Sequence, residues 1–308
     1  MRLTDLTTAR ALALALEVEV GVLVRAVARD QRQSASEVEE ALAAATFALV
    51  RLTEALGAAG GASGLAGEGG PADPEPLEVT VPVLGVDGCR GGWVGAVLEP
   101  GAPRPRIAVA QGITELVETV RTSLGVAVVG IDIPIGLPDN TVRRADGLAR
   151  KAIPGKASSV FPTLTRAAYS APDRAAADAV NRSRCGQGVG AQAFALRDKI
   201  VEVDAWVRSR PTVTVIEVHP ELSFAAIAGS PIRPNKKSDA GRSARLAALH
   251  SVGIASPSVL SGSGYAADDV LDACVVAWTA ARHANGAATS LPAVPERFSD
   301  GIPAAIWS

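Results

Sequence analysis

Residues 81–308 have the pattern of an α/β domain in which helices cover both faces of a mixed sheet. Three observations predict this class. Two apolar runs separated by a Gly-rich turn within residues 81–100 predict a β-hairpin. A continuous apolar run at residues 126–137 is typical of a strand that is covered on both faces. Residues 268–284 begin with acidic residues and continue as an apolar stretch, which predicts a strong C-terminal helix.

The remaining elements fit between these three. RIAVAQ predicts a third strand, and TELVETVRTSL predicts an amphipathic helix. Residues 139–210 are polar and Arg-rich, with a helix expected at 191–208, and TVTVIEVHPELSF predicts a further strand. Residues 230–265 are expected to be a loop with one helix at 241–251. The resulting order is three strands, a helix, a strand, an insertion, a strand and a helix, which is the order of the RNase H-like fold.

The first 80 residues have a different composition. Gly, Pro and acidic residues dominate residues 57–80, which predicts a linker. Residues 1–56 are expected to form a helical extension, a hairpin of two helices. Its second helix starts at a capping-box pattern, and its first alternates like a strand but has the length and composition of a helix. This hairpin is too small to stand alone, so we expect it to dock on the main domain or to form a homo-oligomer with a second copy.

Charge and cysteine content exclude several classes of protein. The net charge is −2, so the whole chain is not a basic nucleic-acid binder; residues 1–80 carry −6 and residues 81–308 carry +4. Three cysteines without a C-x-x-C pair favour reduced thiols over a disulfide framework or a zinc site. The apolar stretch at residues 12–24 contains Glu17 and Glu19 and is too short to span a bilayer. We therefore expect a cytoplasmic protein with no membrane association.

Acidic residues lie on several predicted elements of the one sheet. Asp87 ends the first strand, Asp132 lies in the apolar run, and Glu217 lies in the strand VIEVHPE. Asp269 and Asp272 are three residues apart at the start of the last helix, so they share one face. An acidic residue at a helix start is also stabilised by the helix dipole, and an Asp before Gly is common in turns. The joint pattern is what predicts a site, because several acids on different elements can converge at one edge of the sheet.

Convergent carboxylates repel one another unless a cation neutralises them, and their hard oxygens suit Mg²⁺ or Mn²⁺. Two such ions about 4 Å apart can activate a water and stabilise the leaving oxygen in phosphodiester hydrolysis. The predicted catalytic residues are therefore the five acids above. The predicted metal ligands are Asp87, Asp132, Asp269 and Asp272, and the predicted partner is nucleic acid.

Four further residues are candidates for substrate binding. Arg90 in the hairpin turn and Lys236 in a loop could contact a phosphate, or could be solvated side chains. His219, between Glu217 and Glu221, could be a base, a ligand or a structural residue. Lys199 lies on the helix expected at 191–208, three residues before Glu202, where an ordinary surface ion pair is the alternative.

Seven motifs occur in order over about residues 83–307: GVDGCRGGWV, IDIPIGLP, VFPTLTR, KIVEVD, EVHPELSF, NKKSDAGRSAR and DDVLDA. Together they resemble the domain of unknown function 429 family, the predicted RNase H-like nucleases. The resemblance implies the fold and suggests a metal-dependent nuclease. The first 80 residues fall outside it.

Two other functions remain open at this point. Sugar kinases and actin-like ATPases share the fold, and their first hairpin also carries Asp and Gly to hold phosphate, as GVDGCRGGW could. They usually need a duplicated domain, which this chain is too short to hold. The third alternative is a non-catalytic binding protein that keeps the fold. The sequence contains no G-x-x-x-x-G-K-[ST] loop and no G-x-S-x-G elbow.

Overall fold

The computed structural model describes residues 76–308. The helical hairpin predicted at 1–56 and most of the linker predicted at 57–80 lie outside the described residues. The last linker residues contact the domain, because the Leu77 amide donates to the Val252 carbonyl at 2.9 Å. Asn285 likewise donates to the Glu78 carbonyl at 2.7 Å.

A seven-stranded mixed sheet with flanking helices forms the described part of the chain, which confirms the predicted fold class. The order across the sheet is β3-β2-β1-β4-β5-β7-β6. The strands β1, β4, β5 and β7 run parallel, and β2, β3 and β6 are antiparallel to their neighbours. The strands are β1 (Val83–Cys89), β2 (Gly92–Glu99), β3 (Ala102–Ala110), β4 (Val128–Ile131), β5 (Thr214–Val218), β6 (Ser290–Arg297) and β7 (Pro303–Trp307).

Nine α-helices lie within residues 76–308. They are α1 (Ile113–Leu124), α2 (Arg144–Ala152), α3 (Arg166–Tyr169), α4 (Arg174–Cys185), α5 (Ala191–Ala195), α6 (Arg197–Arg208), α7 (Pro220–Ala228), α8 (Asp239–Ser251) and α9 (Ala267–Ala284). The helix expected at 191–208 is two helices, α5 and α6, which meet at Leu196. In the same part of the described chain, no helix is long and apolar enough to cross a membrane.

Helix α9 packs closely on one face of the sheet because two strand glycines leave room for it. A Cβ on Gly85 would lie 2.1 Å from the Ala277 nitrogen, and a Cβ on Gly130 would lie 2.9 Å from Val276. Residues alternate between the two faces along a strand. The α9 face therefore also contains Asp87, two residues after Gly85, whereas Val86 and Ile131 belong to the apolar core of the opposite face.

Two predicted strand boundaries were wrong. The apolar run at 126–137 was expected to be one strand, but β4 ends at Ile131, and Asp132 follows it. Pro134 lacks a backbone donor, and Gly136 has a φ of +78°, so this segment cannot continue a strand ladder.

Similarly, VIEVHPELSF was expected to be a strand throughout. The strand β5 ends at Val218, His219 is the N-cap of α7, and Pro220 occupies the first turn of that helix, where its missing N–H costs nothing.

Candidate functional site

The carboxyl ends of β1 and β4 bring Asp87 and Asp132 together. Val86 pairs with Ile131 in the parallel ladder, and the Asp132 amide donates to the Val86 carbonyl at 3.0 Å. The two aspartates therefore follow paired residues at the same end of the sheet. Asp87 is 7% exposed, and its Oδ1 accepts a 2.7 Å hydrogen bond from the Gly88 amide. Asp132 is partly exposed.

Helix α9 adds a third carboxylate from across the sheet face. Asp272 is 3% exposed and lies in the first half of α9, which packs against β1, β2 and β4. Its Oδ2 accepts a 2.7 Å hydrogen bond from the Lys236 ammonium, which also lies 3.7 Å from Asp268. We call Asp87, Asp132 and Asp272 the carboxylate cluster.

Burial and mutual repulsion hold protons on this cluster. Burial raises the pKa of Asp87 well above its usual range, and the charges of Asp132 and Asp272 raise it further. Burial also raises the pKa of Asp132 to about 7 and that of Asp272 to about 6, although Lys236 lowers both. Partial burial lowers the pKa of Lys236, but the charges of Asp272, Asp87 and Asp132 outweigh it and raise the pKa. Within residues 76–308, the cluster thus carries more acidic groups than the Lys236 ammonium can neutralise.

Asp269 does not belong to the carboxylate cluster, although the sequence predicts it as a metal ligand together with Asp272. Its Oδ2 accepts a 2.9 Å hydrogen bond from the Ala266 amide and so caps the start of α9. It is partly exposed, and burial raises its pKa while the Ala266 hydrogen bond lowers it. Asp269 therefore lies at the edge of the site, and its structural role is to cap the start of α9.

The predicted metal site is not preformed. Among residues 76–308, no group of three or more His, Cys, Asp or Glu side chains is arranged so that it could hold a metal ion. The donor chemistry of the carboxylate cluster is that of a Mg²⁺ or Mn²⁺ site, but the Lys236 ammonium occupies the bonding position at Asp272. Metal binding by this chain therefore stays a prediction.

Glu217 faces the opposite side of the sheet from Asp87 and Asp132. It pairs with Ile131 in the β4–β5 ladder, and Ile131 belongs to the core opposite α9. Its Oε2 accepts 2.7 Å hydrogen bonds from Arg143 and from the Ile135 amide. Burial raises the pKa of Glu217 to about 7 even though Arg143 lowers it. Glu217 is thus committed to a buried ion pair and does not join the carboxylate cluster.

Arg143 is the centre of that second group of charges, which the sequence did not predict. Its guanidinium is fully buried and lies 3.8 Å from Asp146, while Asp146 accepts hydrogen bonds from the amide and the hydroxyl of Thr163. We call Arg143, Asp146, Thr163 and Glu217 the Arg143 cluster. It ties α2 and the segment around Thr163 to β5.

His219 follows β5 and lines the same cavity as Glu217. Its Nε2 lies 3.3 Å from the Ser159 carbonyl, and its Nδ1 is buried without a hydrogen-bond partner among the described residues. Burial lowers the pKa of His219, although Ser159 and Glu221 oppose this effect. A neutral imidazole with a free ring nitrogen at a cavity wall can contact a ligand.

Lys199 and Arg90 lie on either side of the hairpin turn. The Lys199 ammonium donates to the Gly92 carbonyl and lies 4.2 Å from the centre of the Trp93 ring, and its stem covers Gly88. The alternative, an ion pair with Glu202, does not form, because Glu202 accepts from the Trp93 indole at 3.0 Å. Arg90 is exposed on the turn, away from these contacts.

A cavity of about 210 Å³ opens at the carboxyl ends of β1, β4 and β5. From the sheet, Asp87, Asp132, Glu217 and His219 line it, and Lys199 of α6 also belongs to its lining. The other side is formed by residues 159–163, Tyr169, Ala193, Leu196 and Ile200 of the insertion. The insertion therefore covers the edge of the sheet at which the aspartates end.

The family model described as "Protein of unknown function (DUF429)" matches residues 85–297. The matched segment contains the carboxylate cluster, the Arg143 cluster and all the residues that line the cavity except Ile306. Searches of the curated proteins and of the solved structures returned no match. The family match covers more than half of the chain, and the chain belongs to the DUF429 family.

Proposed function

We propose that this chain is a metal-dependent hydrolase that cleaves phosphodiester bonds of nucleic acid at the carboxylate cluster. The observation that carries the proposal is the convergence of Asp87, Asp132 and Asp272 from two strands and one helix, with Lys236 as their close cation. Buried carboxylates that repel one another cost stability, and proteins seldom keep such groups without a use for them.

The donor set supports a hard divalent ion. Carboxylate oxygens are the preferred ligands of Mg²⁺ and Mn²⁺, and neither thiolate nor imidazole belongs to this cluster. A bound ion would balance the carboxylate charge and polarise the phosphoryl group of the substrate. Asp87, Asp132 and Asp272 would hold it, and Lys236 would have to leave Asp272.

Hydrolysis at this site would add one water molecule across a P–O bond of the substrate. A water oxygen forms a bond to phosphorus and gives up one proton to a carboxylate of the cluster, the P–O bond to the leaving group breaks, and the leaving oxygen takes a proton from the cluster or from solvent. Lys199 lines the cavity and could contribute positive charge near the phosphate, and a released Lys236 could do the same. Both residues keep the role of substrate binding that the sequence predicts.

The phosphotransferase alternative has less support from the first hairpin. A phosphate-binding turn presents free backbone amides to the ligand. Here the Gly88 amide donates to Asp87, and the Gly91 amide donates to the Gly264 carbonyl at 2.8 Å. The two amides are occupied, so the turn is not built to cradle a triphosphate.

The test is hydrolysis of labelled single-stranded and double-stranded DNA, RNA and hybrids with Mn²⁺, by the wild type and by Asp87→Asn. We expect cleavage that stops in chelator and is lost in the variant. Asp198→Asn is the matched control, because Asp198 has a 95% exposed side chain on α6. Metal-independent cleavage, or equal cleavage by Asp87→Asn, would refute the proposal.

A further inference from the structure

Basic side chains lie beside the carboxylate cluster, on two loops that contact each other. Lys156 belongs to the insertion after α2, and Arg233 belongs to the loop between α7 and α8. The Arg233 guanidinium lies over Gly155, because a Cβ on that glycine would be 3.0 Å from its Nη1. The loop of Arg233 also contains Lys236, which donates to Asp272 at 2.7 Å. The two basic loops therefore meet next to the carboxylate cluster and outside the cavity that Asp87 lines.

One backbone carbonyl holds the loop of Arg233 in this position. The Pro234 carbonyl accepts long hydrogen bonds from the Lys156 ammonium at 3.5 Å and from the Arg245 guanidinium at 3.4 Å. Arg245 is fully buried on α8 and donates to Glu221 at 2.5 Å. The position of the basic loop thus depends on a buried ion pair and not only on exposed side chains.

These loops carry more cations than acids. Lys156 lies 3.8 Å from Glu221, which is beyond hydrogen-bond distance, because Arg245 is the close partner of that carboxylate. The ion pairs among residues 76–308 do not include Arg233. Burial lowers the pKa of Lys156, an effect that Glu221 opposes, and the nearby charges of Arg245 and Lys236 lower it further. An anion between Lys156 and Arg233 would relieve this repulsion between cations.

A phosphate group has the chemistry that fits these two cations. Lysine binds phosphate as a point charge, and the planar guanidinium of arginine matches two phosphate oxygens at once. Arg233 is exposed and Lys156 is partly exposed, so a ligand can reach both from solvent. Because the two side chains come from different loops, a phosphate that lies between them can contact both.

We propose that Lys156 and Arg233 form a phosphate-binding subsite, which holds a neighbouring phosphate of the substrate strand while the phosphate to be hydrolysed lies at the carboxylate cluster. Two sources supply this chemistry: a phosphate within a nucleic-acid strand and the free phosphate ion. The inference deepens the proposed function and rests on it for the identity of the strand. Binding at the subsite, however, can be measured without metal and without cleavage.

The binding test measures the fluorescence anisotropy of a labelled oligothymidylate with the full chain, in chelator and over a series of salt concentrations. Lys156→Gln and Arg233→Gln should each weaken binding by about 3–10-fold, because each removes one cation from the phosphate. Arg184→Gln is the matched control, since it removes the same charge from an exposed arginine on α4, and it should change the affinity by less than about twofold. No binding by the wild type, or equal losses in all three variants, overturns the inference.

A double variant tests whether the two side chains share one phosphate. The salt dependence of the affinity counts the phosphates that the protein neutralises, with a slope of about −0.7 per phosphate for a single strand. Lys156→Gln combined with Arg233→Gln should therefore change the slope by about 0.7, and the loss of affinity should be smaller than the product of the two single losses. A slope change of about 1.4 with multiplicative losses would show two separate contacts and would overturn the shared subsite.

The cleavage test separates the subsite from the proposed chemistry. Bis(p-nitrophenyl) phosphate has a single phosphate, so it cannot occupy the subsite and the carboxylate cluster together, whereas an oligothymidylate can. With Mn²⁺, Lys156→Gln should lower kcat/KM for the strand about 3–10-fold more than kcat/KM for bis(p-nitrophenyl) phosphate. Equal losses on both substrates overturn the inference and leave the proposed function standing. If the wild type cleaves neither substrate, the proposed function fails and the binding test alone decides the inference.

Inorganic phosphate distinguishes the two sources of the ligand. At constant ionic strength, phosphate that displaces the strand from the wild type but not from the double variant identifies the free ion as a ligand of the subsite. Strand binding by the wild type that phosphate leaves unchanged identifies the strand as the source. Equal displacement from the wild type and from the double variant would place the phosphate elsewhere on the molecule and would overturn the subsite.

Discussion

Buried charged side chains are paired differently on the two faces of the sheet, although both groups lie at the same end of the strands. On one face, Arg143 pairs with Glu217 at 2.7 Å, and the other carboxylate of the Arg143 cluster accepts two hydrogen bonds from Thr163. On the α9 face, three acids with raised pKa values lie close to the Lys236 ammonium, which bonds to Asp272. Both groups have more carboxylates than close cations, but in the Arg143 cluster the second carboxylate is held by two hydrogen bonds from Thr163 and lies 3.8 Å from Arg143, whereas the carboxylate cluster has three acids near Lys236.

This difference separates two roles that the sequence had assigned to one set of residues. A matched buried pair holds elements in place, and losing one partner leaves an unpaired charge. An acid-rich group instead has a place for a further cation, which is what a metal-dependent site requires. Glu217 pairs with Arg143, and the proposed chemistry is assigned to Asp87, Asp132 and Asp272.

The largest expected effect is on the rate of hydrolysis, which should fall much more for a variant in the carboxylate cluster than for one in the Arg143 cluster. Asp87→Asn keeps the shape of the side chain but loses its charge, so the rate of Mn²⁺-dependent hydrolysis should fall by at least about 1,000-fold. Glu217→Gln should instead leave the rate of the folded enzyme within about tenfold of the wild type. Single-turnover rates measured on protein shown to be folded would check both. A larger loss for Glu217→Gln than for Asp87→Asn would reverse the assignment.

The second effect separates the clusters by stability. Arg143→Met leaves Glu217 buried and unpaired, so the free energy of unfolding should fall by about 3–5 kcal/mol. Arg121→Met is the control, because Arg121 forms an exposed pair with Glu118 whose loss should leave the free energy of unfolding nearly unchanged. Urea unfolding of both variants gives the comparison.

A double variant tests the cause of that loss. If unpaired charge is responsible, Arg143→Met combined with Glu217→Leu should recover much of the stability, since apolar replacements of a buried pair are often tolerated. A double variant that is as unstable as the sum of the single variants would show that packing around Arg143, and not its charge, holds this part of the fold.

Local patterns were enough to predict most of the sheet and part of the site. Alternating apolar residues and the Gly-rich turn predict β1 and β2, and the acidic start of α9 is visible in the sequence. Asp87 and Asp132 follow apolar runs, and parallel strands place their carboxyl ends at one edge. Their meeting is therefore predictable once the strands are taken as neighbours.

The contacts of Glu217 could not be predicted from the sequence, for a physical reason. A shift of one residue along a strand moves a side chain to the other face, and only the register with β4 fixes that position. The partner of Glu217 is 74 residues away, in an insertion with no strong periodic pattern. The pairing of Lys236 with Asp272 could not be predicted for the same reason, because the two residues are 36 positions apart. The strands β6 and β7 also had no clear signal, because two prolines interrupt β6, as is common at a sheet edge.

A third effect should appear in the pH dependence of stability. The pKa of Asp132 is raised to about 7 in the folded chain, so between about pH 4 and pH 7 the folded state holds more protons than the unfolded state. The free energy of unfolding should therefore fall as the pH rises through this range. Asp132→Asn removes that penalty, and in chelator its stability gain over the wild type should be about 1–2 kcal/mol larger at pH 8 than at pH 5.

Asp198→Asn again serves as the exposed control for this measurement, and its difference from the wild type should be the same at both pH values. Chelator is needed because a bound cation would lower the pKa of Asp132 and hide the effect. A gain for Asp132→Asn that is equal at pH 5 and pH 8 would show that the carboxylate cluster is better neutralised than its contacts indicate.

The smallest expected effect concerns the cation that the carboxylate cluster already has. The Lys236 ammonium lies 2.7 Å from Asp272, so a metal ion must displace it to use that oxygen. Lys236→Met keeps a similar side-chain length and removes the competitor. The affinity for Mn²⁺, measured by electron paramagnetic resonance of the free ion, should therefore rise by about 3–10-fold, which corresponds to about 1 kcal/mol.

Lys237→Met distinguishes displacement from a general change in charge. Lys237 is the exposed neighbour of Lys236, and its removal changes the net charge by the same amount. Because exposed charges are screened by solvent and salt, its effect on Mn²⁺ affinity should be less than about twofold. Metal-free Lys236→Met should also be less stable than the wild type, since Asp272 then lacks its partner, and Mn²⁺ should restore the loss. Equal gains in Mn²⁺ affinity from both variants would mean that Lys236 acts only through its long-range charge and not by occupying Asp272. An unchanged Mn²⁺ affinity in Lys236→Met would mean that the metal does not bind Asp272.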